Sequence, residues 1–514
     1  MANRSTDSLF QLVKSLEKSE KRNFKLYVRR NSSSNDLKII HLFDALDKMK
    51  EYDESQLLQK NKSIKKSQLS NIKAHLYRQL LFSLRLIKDE NNIDIQLHEQ
   101  MDFARILYNK GLYLQSLQLL EKMKEMAKSH NQFTYLQQAL FFEKKIEGLF
   151  ITRSIQDKAE QLSHEADDVN LHLTTVNQLS NLSLQLYGWY IKHGHARNEK
   201  DVTELKEFWE KNFPEESRQS TGFYERLYLY QSFCWYAFIQ QDFLQYYRQT
   251  QKWVDLFDEF PPMYDLEPAH YIKGIHNLMN AHFVLRNTKK LGLAIEQFEK
   301  FSHRKVVKEN DINRILVFNY LATARINKHF LEGSFTEGLK IVPYIEDKLK
   351  EYELFMDKHR VLVFYYKIAC LYFGAGKNEK AIDYLNKIIN WKVNLRSDIQ
   401  CYARLLQLIA HYELGNFELL EYLTKSTYLF MAKMESLSAV EVEIFHFLRR
   451  SLRMNAHALK PEFEKLLDKL KSYEQSHFET RAFSYLDVIS WLESKINKVP
   501  IEHVIREKFS SSPR

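Results

Sequence analysis

The chain has 514 residues, 44% of them hydrophobic, and a net charge of +9. Its 12 glycines and 8 prolines are about a third of average usage, which excludes a turn-rich β fold, because hairpins and ordered loops consume those two residues. Cys234, Cys370 and Cys401 are too few and too scattered for a disulfide framework or a zinc knuckle, and no run reaches the ~20 apolar residues of a membrane span.

Long stretches of Leu, Lys, Glu, Gln, Ala, Arg and Met between the few breakers predict an all-α chain. The opening "MANRSTDSLF" has no apolar signal core, so a cytoplasmic location is expected. Residues 1–90 form a basic N-terminal module, with helices predicted near 7–17, 19–31, 36–50 and 66–88. They hold 19 Lys and Arg against 11 Asp and Glu, a net +8, whereas the rest of the chain is at +1. Lys18, Lys21, Arg22, Lys25 and Arg29 follow i, i+3, i+4, i+7, i+11, a single positive stripe on one helix. Phe24, Tyr27 and Val28 fall on another side, suited to packing. With Ser19 as the cap, the stripe starts at Lys21. On the 66–88 helix Lys66 and Lys73 share one line, while Arg78 and Arg85 lie about 120° away. The candidate contacts to an acidic partner or to nucleic acid are therefore Lys21, Arg22, Lys25, Arg29, Lys66 and Lys73. The plainer alternative is a solvated basic face, or one docked on acidic residues of the solenoid.

From residue 91 to 495 the pattern changes to helix pairs joined by short turns. "ARILYNKGLYLQSLQLLEKM" places Ala104, Gly111, Tyr113, Ser116 and Leu120 at hairpin positions. "KHGHARNEK", with His193 and His195, is expected to be a polar turn; two histidines without further ligands do not make a metal site. Weaker hairpins fall at "CWYAFIQQDFLQYYRQ" and "NAHFVLRNTKKLGLAIEQFEKF", on either side of "FPPMYDLEP", an inter-helix connection. "KHFLEGSFTEGLKIV" carries Gly333 and Phe335, with Ser334 and Glu337 as a capping-box signature. Pro343 should kink or delay its helix. "IAHYELGNFELLEYL" aligns His411, Gly415 and Phe417. About eight to ten helical pairs are expected, followed by a tail over 496–514 whose "EKFSSSPR" should fray.

The clearest hairpin is "LYFGAGKNEKAIDYLNKII". Tyr365, Ile368, Ala369 and Tyr372 mark one helix face, and Ala381, Tyr384, Leu385 and Ile388 mark the next. Gly374 and Gly376 are placed in the turn, with Asn378 capping the second helix. A phosphate-binding loop would need a glycine at Leu371 and a hydroxyl at Asn378, and has neither. The hairpin resembles a tetratricopeptide repeat: aromatic Tyr365, large Ile368, small Ala369, Tyr372, turn Gly376, small Ala381 and large Leu385. Ile388 and Val393 depart from the family's second small residue and closing proline. From Gly333 to Gly376 is 43 residues and from Gly376 to Gly415 is 39, against a family period of about 34, so the repeats are long. "SLEKSEKRNFKLYVRR" and "WLESKI" are also similar to helical proteins of Bacteroidetes bacteria, a likeness that brings no activity with it.

The resemblance implies a right-handed α-solenoid of tetratricopeptide-like antiparallel hairpins behind the basic module. It implies a non-catalytic protein–protein interaction scaffold, with a peptide or partner helix in its groove. The alternative is a regulator touching nucleic acid through residues 1–90 and sensing a ligand or partner through its repeats. No HExxH, paired CxxC, GxSxG or dinucleotide fingerprint is present, so neither catalytic, metal nor cofactor-binding residues are expected, and no membrane partner.

Overall fold

The computed structural model describes residues 7–30, 36–60, 64–87, 92–150, 156–353, 355–391, 397–434, 439–451, 454, 456–474 and 487–511. Among them the fold is all-α, with no strand. Val393, the second departure noted above, lies outside the described residues, as do 512–514. No helix is long and apolar enough to cross a membrane among the described residues. The chain divides into two compact units, 1–111 and 112–514.

The first unit holds α1 (Ser8–Ser15), α2 (Lys18–Arg30), α3 (Asp36–Lys48), α4 (Glu54–Lys60), α5 (Lys66–Leu86) and α6 (Ile93–Asn109). Apolar residues at helical spacing build its core: Leu9, Phe10 and Val13, Phe24 and Val28, Leu42, Phe43 and Leu46, and Leu69, Leu76 and Leu80. Asp7 caps α1 by accepting from the Phe10 amide at 3.0 Å. The stripe helix starts at Lys18, one residue before the expected cap. The sequence reading missed α4, a seven-residue polar helix too short for a periodic signal.

The second unit runs through α7 (Tyr113–Ser129), α8 (Phe133–Phe150), α9 (Gln156–His193), α10 (Glu199–Asn212), α11 (Phe223–Ile239), α12 (Phe243–Glu259), α13 (Met263–Leu266), α14 (Pro268–Val284), α15 (Thr288–Ser302) and α16 (Lys305–Lys308). It continues with α17 (Asp311–Glu332), α18 (Phe335–Gly338), α19 (Val342–Glu351), α20 (Lys358–Gly374), α21 (Asn378–Ile389), α22 (Ser397–Glu413), α23 (Phe417–Lys433), α24 (Ala439–Ser451) and α25 (Ala456–Glu474). Helices Val488–Asn497 and Ile501–Ser511 follow. Most helices pack on a near neighbour in sequence, α9 on α11 and α12 on α14 among them, and α14, α17, α20 and α22 also pack in succession. This is the arrangement by which a helical-repeat array completes each core from its neighbours. Ala369 and Ala381 are fully buried between α20 and α21, as the small residues of the hairpin require. Pro343 delays α19: a 3₁₀ turn over Leu339–Ile341 precedes it, and the proline sits in the first turn, where its missing N–H is not needed.

Several inter-helix corners share one device. A residue in the left-handed region ends the helix, and the next amide reaches back five residues. Gly376 is such a residue, and the Lys377 amide donates to the Tyr372 carbonyl at 2.8 Å. The same pair of features recurs at Asn131, Gln241, Arg286 and Gly415, with closing bonds of 2.7, 2.9, 2.8 and 3.1 Å. The two weaker hairpins are therefore full hairpins whose turn residue, Gln241 or Arg286, is not glycine. Because a side chain in the left-handed region costs about 1–2 kcal/mol, Arg286→Gly is expected to raise stability by up to about 1 kcal/mol, read as a higher thermal midpoint.

Three local expectations are corrected. Gly374 is not in the turn but is the last residue of α20, and a Cβ there would come within 2.3 Å of the Phe335 ring. Asn378 does not cap α21: Lys377 stands at the cap without a side-chain bond, and the Asn378 Oδ1 has no partner. Ser334 forms no capping box; its hydroxyl pairs with His329 Nδ1 at 2.8 Å, while Glu337 pairs with Lys340 at 2.7 Å.

The end of the chain differs too. Residues Ile501–Ser511, within the stretch expected to be a tail, form a helix packed against α17, so the described part of "EKFSSSPR" is helical. Val504 and Ile505 are buried, Thr336 Oγ1 donates to Glu502 at 2.7 Å, and Arg506 donates to the Gly333 carbonyl at 3.3 Å. Gly333 is left-handed, with φ of 62°.

Candidate functional site

The basic residues of the first unit split into two groups. Lys21 pairs with Asp47 at 2.7 Å and Lys25 with Asp44 at 2.6 Å, both carboxylates on α3. Lys73 is bound by Asp7 and by the Tyr52 hydroxyl. Against the cost of burial, those partners hold its ammonium above the usual lysine range. Half of the candidate set thus fastens the unit's own helices together. Arg22, Arg29 and Lys66 are exposed and make no ion pair among the described residues. Of the second line on α5, Arg85 pairs with Asp102 at 2.9 Å.

His193 and His195 do not converge. His193 ends α9 and lies against Trp189 at 5.3 Å, whereas His195 Nδ1 donates to the Phe238 carbonyl at 2.7 Å. No group of three His, Cys, Asp or Glu able to hold a metal occurs among the described residues. Cys234 and Cys401 are buried, as expected of small hydrophobes, while Cys370 is half-buried with its thiol pushed up to about 12 by burial.

The second unit carries a groove of about 1810 Å³. One face of each of three helices supplies its floor. On α14 these are Lys273, His276, Asn277 and Asn280; on α17, Asn319, Tyr320, Thr323 and Asn327; on α20, Arg360, Val363, Lys367 and Cys370. Each set follows a 3–4-residue helical spacing. The Ile501–Ser511 helix contributes Ile501, Ile505, Lys508 and Phe509 to one side.

The polar groups sit among aromatic rings. Lys273 Nζ lies 5.7 Å from the Tyr187 ring and 5.6 Å from Trp235. His276 stacks on Tyr320 at 3.8 Å, and the Arg360 guanidinium is 5.5 Å from the same ring. Lys367 donates to Asn327 Oδ1 at 2.6 Å and lies over Phe283 and Phe330. Rings attract these cations through their faces without using up N–H donors. Burial pushes Lys273 below the ordinary lysine range, and the nearby Arg360 adds to that push. Burial also drives His276 well below the usual imidazole range, reinforced by Lys273, Arg360 and Lys367, so it is neutral near pH 7.

Sequence reasoning missed this site. Its signal was a polar residue every three or four positions inside otherwise apolar helices, with Lys273, Asn319 and Arg360 dozens of residues apart. No protein-family model matches the chain, and no curated protein matches it.

Proposed function

We propose that this protein is a non-catalytic interaction scaffold of the tetratricopeptide-like helical-repeat kind, holding an extended peptide in the groove along α14, α17 and α20. The observation that carries the reading is the groove itself. At about 1810 Å³ it exceeds the roughly 300–1,000 Å³ of small-molecule pockets. It also follows three successive helices rather than closing around one point. Asparagine, threonine and tyrosine groups along its floor suit the alternating donors and acceptors of a peptide backbone, and the aromatic walls suit its side chains.

Selection of random decapeptides on the full chain tests this. Peptides should be enriched, and their binding should be lost in Thr323→Trp, which fills the middle of the floor. Failure to enrich any peptide, or equal binding to a folded Thr323→Trp protein, would refute the scaffold reading.

A further inference from the structure

Lys273 and Arg360 are engaged through ring faces, yet among the described residues neither makes a side-chain hydrogen bond or an ion pair. An ammonium has three donors and a guanidinium five, so their capacity is unspent. Asn319, on α17 next to Tyr320, is 3% exposed and lines the groove, and neither its Oδ1 nor its Nδ2 has a partner. A buried amide in that state costs stability in the empty fold.

The charge balance points the same way. Seven Lys and Arg line the groove against three carboxylates. Those three are occupied or peripheral: Glu332 lies 3.8 Å from Lys328, Asp487 caps a helix by accepting from Ser490, and Glu296 is exposed. None meets Lys273 or Arg360. His276 fixes how close the cations are, since it stacks on the ring that Arg360 covers and stands one turn from Lys273 on α14.

Resting on the peptide-groove reading, we propose that the groove floor is an oxyanion subsite in which Lys273, Arg360 and the Asn319 amide bind the carboxylates of an acidic peptide. The subsite needs no conformational change in its cations, because the aromatic walls already hold them with their donors free to bond. Binding would satisfy the Asn319 Nδ2 and turn two repelling cations into hydrogen-bonded ones. Charge-assisted bonds of this kind are about twice as strong as neutral ones.

The test is fluorescence anisotropy of labelled decaglutamate with the full chain at fixed ionic strength. Decalysine, a neutral Gly-Ser decapeptide and inorganic phosphate form separate arms. Decaglutamate should bind saturably and decalysine should not. Lys273→Met and Arg360→Met, each verified as folded by circular dichroism, should weaken binding about tenfold or more. Asn319→Leu should weaken binding while raising the melting temperature, which a purely structural asparagine would not do. Wild-type affinity in the folded Lys273→Met and Arg360→Met proteins overturns the proposal. So does binding that survives Lys273→Met but is lost on replacing Arg22, Arg29 and Lys66 with serine, which would place the anion on the first unit. If a neutral selected peptide binds and Lys273→Met leaves it unaffected, the subsite falls and the scaffold stands. If phosphate protects the wild type but not Lys273→Met, and no peptide binds, the floor takes only a free oxyanion, and both the scaffold and the acidic-peptide assignment fall.

Discussion

Gly333→Ala is expected to lower the melting temperature and to release the Ile501–Ser511 helix. Two independent costs meet at this residue. Its φ of 62° carries a penalty of about 1–2 kcal/mol for a side chain. The new Cβ would also lie 2.6 Å from the Arg506 amide nitrogen and 2.9 Å from the Glu502 carbonyl oxygen. Both are main-chain atoms of one helix, so neither can swing aside alone, and the helix must shift as a body. A shift breaks the Thr336–Glu502 bond at 2.7 Å and exposes Val504 and Ile505. The combined loss is about 3 kcal/mol, enough to make the docked helix a minority state. Limited trypsin digestion checks it: Arg506 and Lys508 should become early cleavage sites. Thr336→Val, which removes one bond and leaves the backbone alone, should cost only about 1 kcal/mol and keep the helix resistant. Equal digestion of Gly333→Ala and wild type would sink the argument.

The second large effect is acid sensitivity of the second unit. Burial lowers the pKa of His270, His276, His282, His329 and His411, in His282 to about 4. Each is therefore neutral in the fold but takes a proton near pH 6.5 once unfolded. The unfolded state then binds more protons below that pH, so stability is full above about 6.5 and declines as pH falls towards the folded values. A histidine that stays neutral costs up to about 1.4 kcal/mol per pH unit below that point. Two of them cost about 4 kcal/mol at pH 5, against a typical total of 5–15 kcal/mol. Urea midpoints at pH 7, 6 and 5 should fall progressively, and His282→Asn should flatten the slope. A midpoint unchanged between pH 7 and 5 contradicts the assignment.

The helices were legible because their apolar spacing is local, as at Tyr365, Ile368, Ala369 and Tyr372. Corners marked by glycine, such as Gly376 and Gly415, were legible for the same reason. Corners held by Gln241 and Arg286 were not, since nothing in those residue types announces a left-handed backbone. Gly374 shows the converse: its role depends on Phe335, 39 residues earlier. The N-terminal stripe was visible because one helix carries it, but its function was not. Lys21 and Lys25 face carboxylates of α3 that periodicity on α2 cannot reveal. The groove floor escaped because Lys273, Asn319 and Arg360 become neighbours only when three helices stack.

The helix that borders the groove also sets a clock on it. The last residue of the floor, Cys370, precedes Arg506 by 136 residues. At a synthesis rate of about 5–20 residues per second, that interval is roughly 7–27 s. Helices α14 and α17 take microseconds to form on their own. During translation the groove floor thus stands with that side open for a long time on the scale of folding, and a partner present at the ribosome meets a wider site than one arriving later.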